Sequence, residues 1–500
     1  MILYESTRGE APRVGAAQAI REGIAPDGGL YVPEVLPLID DKAINGLLAL
    51  SYQDRAQRIL TPFLSDFEAE EIRACIGAAY NAKKFQAPEI APLRTLGDRS
   101  YILELWHGPT YAFKDLALQI LPHLLTLSVK KTRSDAEVVI LVATSGDTGK
   151  AALEGFRDVS GTKIIVFFPE EGVSEVQKRQ MVTQEGRNTF VVGVKGNFDD
   201  AQTGVKDIFS DAEIKERLRR EGYEFSSANS INWGRLLPQI VYYFSAYATL
   251  LWENAVRPGE LINFVVPTGN FGNILAGFYA RAMGLPVKRL ILAANSNNVL
   301  TEFVRSGIYD RRRPFYKTIS PSMDILISSN LERLLYEVTG KDDARLRGWM
   351  RGLRETGAYE VEAVVRERIG EAIWSDWAPD ETAIETIRRT YSDHGYVLDP
   401  HTAVARSVYE RYKSYSGDDA TTVVLSTASP FKFNRDVTRA LLGPSAVQGR
   451  DEFQLLDVLA EYTGWQVPPG LGKIAEKPVL HRRVVRKEEM KSAVREILGV

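Results

Sequence analysis

Along the middle of the chain, two patterns of apolar and polar positions alternate. Nearly continuous apolar, β-branched runs occur at Val138–Thr144 (VVILVAT), Lys163–Pro169 (KIIVFFP), Leu261–Thr268 (LINFVVPT), Arg289–Asn295 (RLILAAN) and Thr421–Ala428 (TTVVLSTA). Runs without polar alternation predict strands covered on both faces, as in a parallel sheet. Segments with helical periodicity, such as Val176–Glu185 and Leu236–Glu253, lie between them. Strand and helix in alternation predict a three-layer α/β architecture, to which Tyr101–Trp106 adds a short strand. The ends read differently. Residues 1–98 carry helical periodicity at Asp40–Gln53 and Asp66–Asn81, separated by turn signals such as PDGG at 26–29, which predicts a mostly helical N-terminal unit. The Arg- and Glu-rich residues 300–395 predict helices on the outside of the main body, and the basic tail after Leu471 predicts a solvated terminal helix.

Composition narrows the class. Five hundred residues suggest about three domains, or one large α/β unit with an appendage. Sixty-two Lys plus Arg against sixty-five Asp plus Glu leave a net charge of -3, with no general pull on nucleic acid or anionic lipid. The single cysteine, Cys75, can make neither an intramolecular disulfide nor a Cys-rich metal site. No two of the five histidines stand at i, i+4, and no apolar run approaches the roughly 18 residues of a membrane span. Glu5, Arg8 and Glu10 occupy the first ten residues, where a signal peptide needs a basic start and an apolar stretch. These features predict a cytoplasmic, soluble, metal-independent protein.

Ligands in open parallel sheets bind at the carboxyl ends of strands, so the loops there carry the candidate chemistry. After Val138–Thr144 comes SGDTGK, with Ser145, Asp147 and Thr148 between glycines. It can cradle a carboxylate or phosphate at a helix start, or Asp147 or Thr148 can simply cap that helix. After Leu261–Val266 comes PTGNFGN, where Gly269, Asn270, Phe271, Gly272 and Asn273 form a donor-rich loop without a cation. It is neither a Walker loop nor a dinucleotide fingerprint. After Thr421–Leu425 stand the hydroxyls of Ser426 and Thr427. In HGPTYAFKD (107–115), Ala112 and Phe113 set Lys114 against an apolar wall at a helix start. Desolvation and the positive helix end both favour the neutral amine that a Schiff-base lysine requires. Asn229, Ser230 and Arg235, in SANSINWGR, supply amide, hydroxyl and guanidinium donors suited to a phosphate. Asn229 and Ser230 could also be helix caps, a reading that leaves Arg235 unexplained.

Taken in order and spacing, HGPTYAFKD, ATSGDTGKAA, SANSINWGRLLPQ and PTGNFGN resemble threonine synthases, pyridoxal-phosphate enzymes of the tryptophan-synthase-β-like fold type II. STRG (6–9) and APDGGLYVP (25–33) resemble the longer variety, which has an extra N-terminal domain. The resemblance implies an N-terminal domain (1–98), a large pyridoxal-phosphate-binding α/β domain (99–137 and 246–500) and a small α/β domain (138–245). It implies that Lys114 holds the cofactor, that Gly269, Asn270, Phe271, Gly272 and Asn273 bind its phosphate, and that Thr427, or else Ser426, faces its pyridine nitrogen. Ser145, Asp147 and Thr148 would receive the substrate carboxylate, with Asp147 also near the cofactor's ring oxygen. Thr144, Asn229, Ser230 and Arg235 would bind the substrate phosphate. Many relatives have Asn where this chain has Asp147, and a carboxylate beside a phenolate-like oxygen would be repulsive, which leaves its proton state open. The implied reaction turns O-phospho-L-homoserine and water into L-threonine and phosphate; the alternative is a phospho-lyase that releases 2-oxobutyrate.

Overall fold

The Val- and Ile-rich runs fold into two open sheets. A computed structural model describes every residue except Ser145, Glu171 and Gly172, and omits the side chains of Phe198 and Asp199. Its larger sheet has six strands in the order Ile373–Trp377, Val287–Ala294, Ile262–Pro267, Thr422–Ser426, Ser100–Glu104, Leu93–Thr95. All neighbours are parallel except the last pair, which is antiparallel. The smaller sheet runs Val484–Arg486, Thr189–Lys195, Thr162–Pro169, Glu137–Ala143, Tyr223–Ser226, parallel throughout. Every residue of the Ile262–Pro267 and Thr422–Ser426 strands is buried, which is why their sequences show no polar alternation.

Helices cover the sheets. The Pro238–Trp252 helix buries thirteen of its fifteen residues, as expected of a helix that is apolar all round. It packs on the Gly272–Ala282 helix and on Tyr52–Leu60 of the N-terminal region. One apolar core therefore runs from Ile20, Ile59 and Phe63 through Leu103 and Phe264. The expected Asp40–Gln53 helix is broken in two. Asp40 caps Asp41–Asn45, Gly46 ends it, and Ser51 caps a fresh helix, Tyr52–Leu60, by accepting from the Asp54 N–H at 3.1 Å.

The borders between units also differ from the expected ones. A cut at 98 would split the Leu93–Thr95 and Ser100–Glu104 pair. Residues after 226, expected with the small domain, fold as the Trp233–Leu236 and Pro238–Trp252 helices in an apolar core shared with Val138, Ile140 and Ile164 of the small sheet. The tail, expected in the large domain and in solvent, instead adds Val484–Arg486 to the small sheet. There it buries Met490, Ala493, Val494 and Leu498 against Val139, Leu141 and Ile208. Its apolar positions sit at helical spacing on one face, so burial won over the basic composition. Among the described residues, no helix is long and apolar enough to cross a membrane.

Candidate active site

Lys114 opens the short Lys114–Leu118 helix, one residue beyond Phe113, whose N–H donates to the Thr427 carbonyl at 2.8 Å. Ala112 bridges Ala428, and Ser429 N–H donates to Tyr111 O at 3.0 Å, so the lysine turn is laid along the end of the Thr422–Ser426 strand. Tyr111 adopts φ 61°, a left-handed conformation that costs a non-glycine residue about 1 kcal/mol or more and tends to occur at functional sites. The Lys114 ammonium lies 5.7 Å from the Phe113 ring centroid, with the side chain 11% exposed. Burial pushes its pKa down to about 8, with Arg235 and Lys432 acting in the same direction and Asp147 opposing. The expected apolar wall and weakened ammonium are both present.

Asp147, which follows the small sheet, reaches across to this lysine of the large sheet. Its Oδ2 is 3.8 Å from Lys114 Nζ, while its Oδ1 is 2.5 Å from Lys432 Nζ and accepts from Gln177 Nε2 at 2.9 Å. Burial alone would raise its pKa; Lys432 and Lys114 outweigh that and hold the carboxyl far below the ordinary range. The open question of its proton state is answered by Lys432: Asp147 is an ionised carboxylate with a buried ammonium of its own. Neither Asp147 nor Thr148 caps the helix, whose N-cap is Gly146. Gly146 sits at φ 142°, and a Cβ there would lie 2.6 Å from the Gln177 side chain, so this turn requires glycine. Thr144 Oγ1 accepts from the N–H groups of Gly146 and Gly149, both at 2.9 Å, which leaves its own O–H to offer. Thr148 is half-buried in the first helical turn. Ser145 lies outside the described residues.

The PTGNFGN loop forms a second donor surface. Phe271, at φ 63°, caps the Gly272–Ala282 helix, whose first N–H groups lack intrahelical acceptors. Asn273 Oδ1 accepts from Tyr242 OH at 2.5 Å and Tyr243 OH at 3.0 Å, fixing the amide; its Nδ2 is buried with no partner. A Cβ at Gly269 would come 2.6 Å from the Ser322 carbonyl oxygen, so this approach needs glycine. An orphaned amide, free helix N–H groups and a lysine of lowered pKa fit the phosphate and aldehyde ends of pyridoxal phosphate. Beside them, Ser426 Oγ accepts from Trp106 Nε1 at 3.0 Å and lies 3.2 Å from Thr402 Oγ1, whereas Thr427 is buried with its carbonyl on Phe113.

The 228–235 segment borders that loop: a Cβ on Gly272 would lie 3.4 Å from Ser230 Cβ. Arg235 is buried, donates to the Ala228 carbonyl at 2.5 Å, and has no carboxylate within ion-pair distance among the described residues. Burial lowers its pKa to about 10. A buried guanidinium without an acid is costly unless a ligand supplies the anion. Asn229 and Ser230 are half-buried and cap nothing; Asn232 does, accepting from Gly234 N–H at 2.8 Å.

Four contributors to the site escaped the sequence reading. Lys432 looked like an ordinary lysine in PFKF. Ser322, in a stretch expected to decorate the surface, accepts from Lys114 Nζ at 3.1 Å and donates to Asp147 Oδ2 at 3.3 Å. His401, hydrogen-bonded to Asp399 at 2.8 Å, accepts from Ser322 N–H at 3.2 Å. Asn330 holds the Asn270 carbonyl at 3.1 Å and is itself held by Arg333 at 2.6 Å.

Known proteins show the same organisation from end to end. Residues 3–80 match the family described as "Threonine synthase N terminus", residues 81–428 "Pyridoxal-phosphate dependent enzyme", and residues 402–495 "Threonine synthase, C-terminal". Threonine synthase-like 1 of Pongo abelii is 41% identical over 435 residues, covering 85% of this chain; the chain spans 58% of that relative's length. Threonine synthase of Pseudomonas aeruginosa is 40% identical over 442 residues, or 88% of this chain and 90% of that one. The crystal structure of pyridoxal-phosphate-bound threonine synthase from Brucella melitensis superposes with a TM-score of 0.87 at 36% identity, covering 99% of both chains.

Proposed function

The chain belongs to the threonine synthase family of pyridoxal-phosphate-dependent enzymes, and on that premise we propose that it converts O-phospho-L-homoserine and water to L-threonine and phosphate. The observation that carries the proposal is the pair of adjoining anion cradles beside one lysine of lowered pKa. One cradle is cation-free, around Gly269–Asn273, and the other holds the acid-free guanidinium of Arg235. An enzyme acting on an unphosphorylated amino acid has no use for the second.

When bound, pyridoxal phosphate supplies an electron sink that acidifies the hydrogens on Cα and Cβ of an amino acid attached to it. Lys114 holds the cofactor; Gly269, Asn270, Phe271, Gly272 and Asn273 bind its phosphate. Thr427, or else Ser426, offers the hydroxyl for the pyridine nitrogen; Ser426 Oγ accepts from Trp106 and Thr402, which leaves its own O–H. Asp147 stands near the ring oxygen; its backbone N–H at the helix start, rather than its carboxylate, would join Ser145 and Thr148 in receiving the substrate carboxylate. Once freed by the substrate amine, Lys114 would take the Cα proton and, after passing that proton on, would take a Cβ proton, since one flexible amine reaches both. Arg235, Asn229, Ser230 and Thr144 grip the γ-phosphate, neutralise the charge growing on it and aim the Cγ–O bond for departure. Lys114 would then return the Cβ proton at Cγ, water would add its hydroxyl at Cβ and give its other proton to the released phosphate, and the proton taken first would go back to Cα. We further propose a cytoplasmic enzyme, monomeric or homodimeric, in three units: N-terminal, large, and a small one built on the five-stranded sheet and the tail.

The second reading, release of 2-oxobutyrate, uses the same residues; a relative named threonine synthase-like, not threonine synthase, favours keeping it. Incubation of the cofactor-loaded protein with O-phospho-L-homoserine, followed by identification of the amino or keto acid formed beside phosphate, decides between them. Lys114→Ala is expected to abolish turnover and the visible absorbance of the lysine-bound cofactor; normal turnover in that variant would remove the lysine from its role.

A further inference from the structure

Lys114 needs two things that conflict. Its ε-amine must be neutral to react, yet it sits within reach of a buried carboxylate, the arrangement that most strongly stabilises an ammonium. The structure resolves the conflict by geometry. Asp147 Oδ1 lies 2.5 Å from Lys432 Nζ, whereas Lys114 Nζ is 3.8 Å from Oδ2 and donates to Ser322 Oγ at 3.1 Å instead. Lys432 is 1% exposed and is anchored through the Thr110 carbonyl at 2.9 Å, in the same turn that leads into Lys114. The carboxylate therefore has a resident counter-ion that the reaction never consumes.

We propose that Lys432 is a positioning residue for the cofactor lysine: it takes Asp147 as its own ion-pair partner, so that Lys114 reacts as a free amine and Asp147 stays an anion after Lys114 is modified. The inference rests on the assignment of Lys114 as the cofactor lysine. The charged groups around the pair are few. Arg235 and Lys432 disfavour the Lys114 ammonium, Asp147 and Asp115 favour it, and His401 adds to the positive field at Asp147. Both ammonium groups draw on one carboxylate, so removing Lys432 hands Asp147 to Lys114 and relieves a like-charge repulsion at once. Both changes strengthen protonation of Lys114.

The test follows capture of free pyridoxal phosphate by cofactor-free protein, as the visible absorbance appears, across pH 6.5 to 10. In this step the amine lone pair forms a C=N bond with the aldehyde carbon, and the aldehyde oxygen leaves as water with the two amine hydrogens. Wild-type capture should rise with a midpoint near pH 8, tracking the lysine. Lys432→Met should raise that midpoint by about one unit and slow capture at pH 7.5 about tenfold. Lys432→Arg should restore it. If Lys432→Met does not fold, Lys432→Gln takes its place and should raise the midpoint likewise; in an Asp147→Asn background, where no carboxylate remains to be handed over, the rise should be smaller. A Lys432 variant that folds with an unchanged midpoint beside Asp147, or a rise as large in the Asp147→Asn background, overturns the proposal. Capture that persists in Lys114→Ala overturns the lysine assignment instead, so the two failures are distinguishable.

Discussion

Two arginines a hundred residues apart share burial and differ in purpose. Arg235 and Arg333 are both buried, and burial lowers the pKa of each to about 10. Arg333 uses its whole fork: Nε donates to Tyr31 O at 3.0 Å, Nη1 to Asn330 Oδ1 at 2.6 Å and Ser230 O at 3.3 Å, and Nη2 to Ile231 O at 2.6 Å. Through these bonds it ties the N-terminal strand, the substrate-clamp segment and, by way of Asn330, the Asn270 carbonyl of the phosphate loop. Among the described residues, the Arg235 side chain makes one hydrogen bond, to Ala228 O at 2.5 Å. A buried guanidinium whose donors are matched by the protein is architecture. One whose donors are left over has room for an anionic ligand, because the protein alone does not repay its desolvation.

The comparison can be broken by substitution. Arg333→Leu should cost about 3 kcal/mol or more of stability, since several buried carbonyls lose their donor at about 1–3 kcal/mol each. Urea unfolding reads this, and an unchanged midpoint would refute the architectural assignment. Arg235→Met should leave the unfolding midpoint within about 0.5 kcal/mol. It should lower kcat/KM for the phosphorylated substrate about 100-fold, the scale of losing a preorganised charge clamp, while the cofactor absorbance persists. Loss of cofactor with unchanged substrate affinity would mean the clamp lies elsewhere. The smallest effect concerns Lys114, a functional group that also goes without full compensation. Its pKa is about 8 when folded and about 10.4 when unfolded. Between those values the unfolded chain binds more protons, so stability gains from this group as pH rises and loses it as pH falls through about 8. In cofactor-free protein, Lys114→Met should flatten that slope, a change on the order of 1–2 kcal/mol across the window, measurable as melting temperature against pH.

Much of this was legible beforehand. The strands could be read because burial on both faces forces apolar residues into unbroken runs, and the loops because glycine, Asn and Thr are needed where backbone must turn and donate. The helix break at Gly46 was missed, since apolar periodicity continues across it and only the caps at Asp40 and Ser51 reveal it. The tail was misjudged because its charge count was weighed above the one-sided spacing of Met490, Ala493, Val494 and Leu498. Within the site, the residues expected to touch ligands lie in loops with a local pattern, and those that hold these residues in place do not. Ser322 meets Asp147 from 175 positions away, and Lys432 meets Thr110 from 322. Nothing near either residue in the chain announces such a contact.

The sequence alone therefore revealed which segments become strands and which loops can turn and donate at their ends. Those properties depend on neighbours within a few positions. Only the tertiary structure decided that Asp147 pairs with Lys432, that Arg235 is buried with donors unmatched among the described residues, and that the donors of Arg333 are taken by carbonyl and amide oxygens. Charge compensation in a low-dielectric interior is set by which groups lie within about 4 Å, and the chain brings those groups together from distant positions.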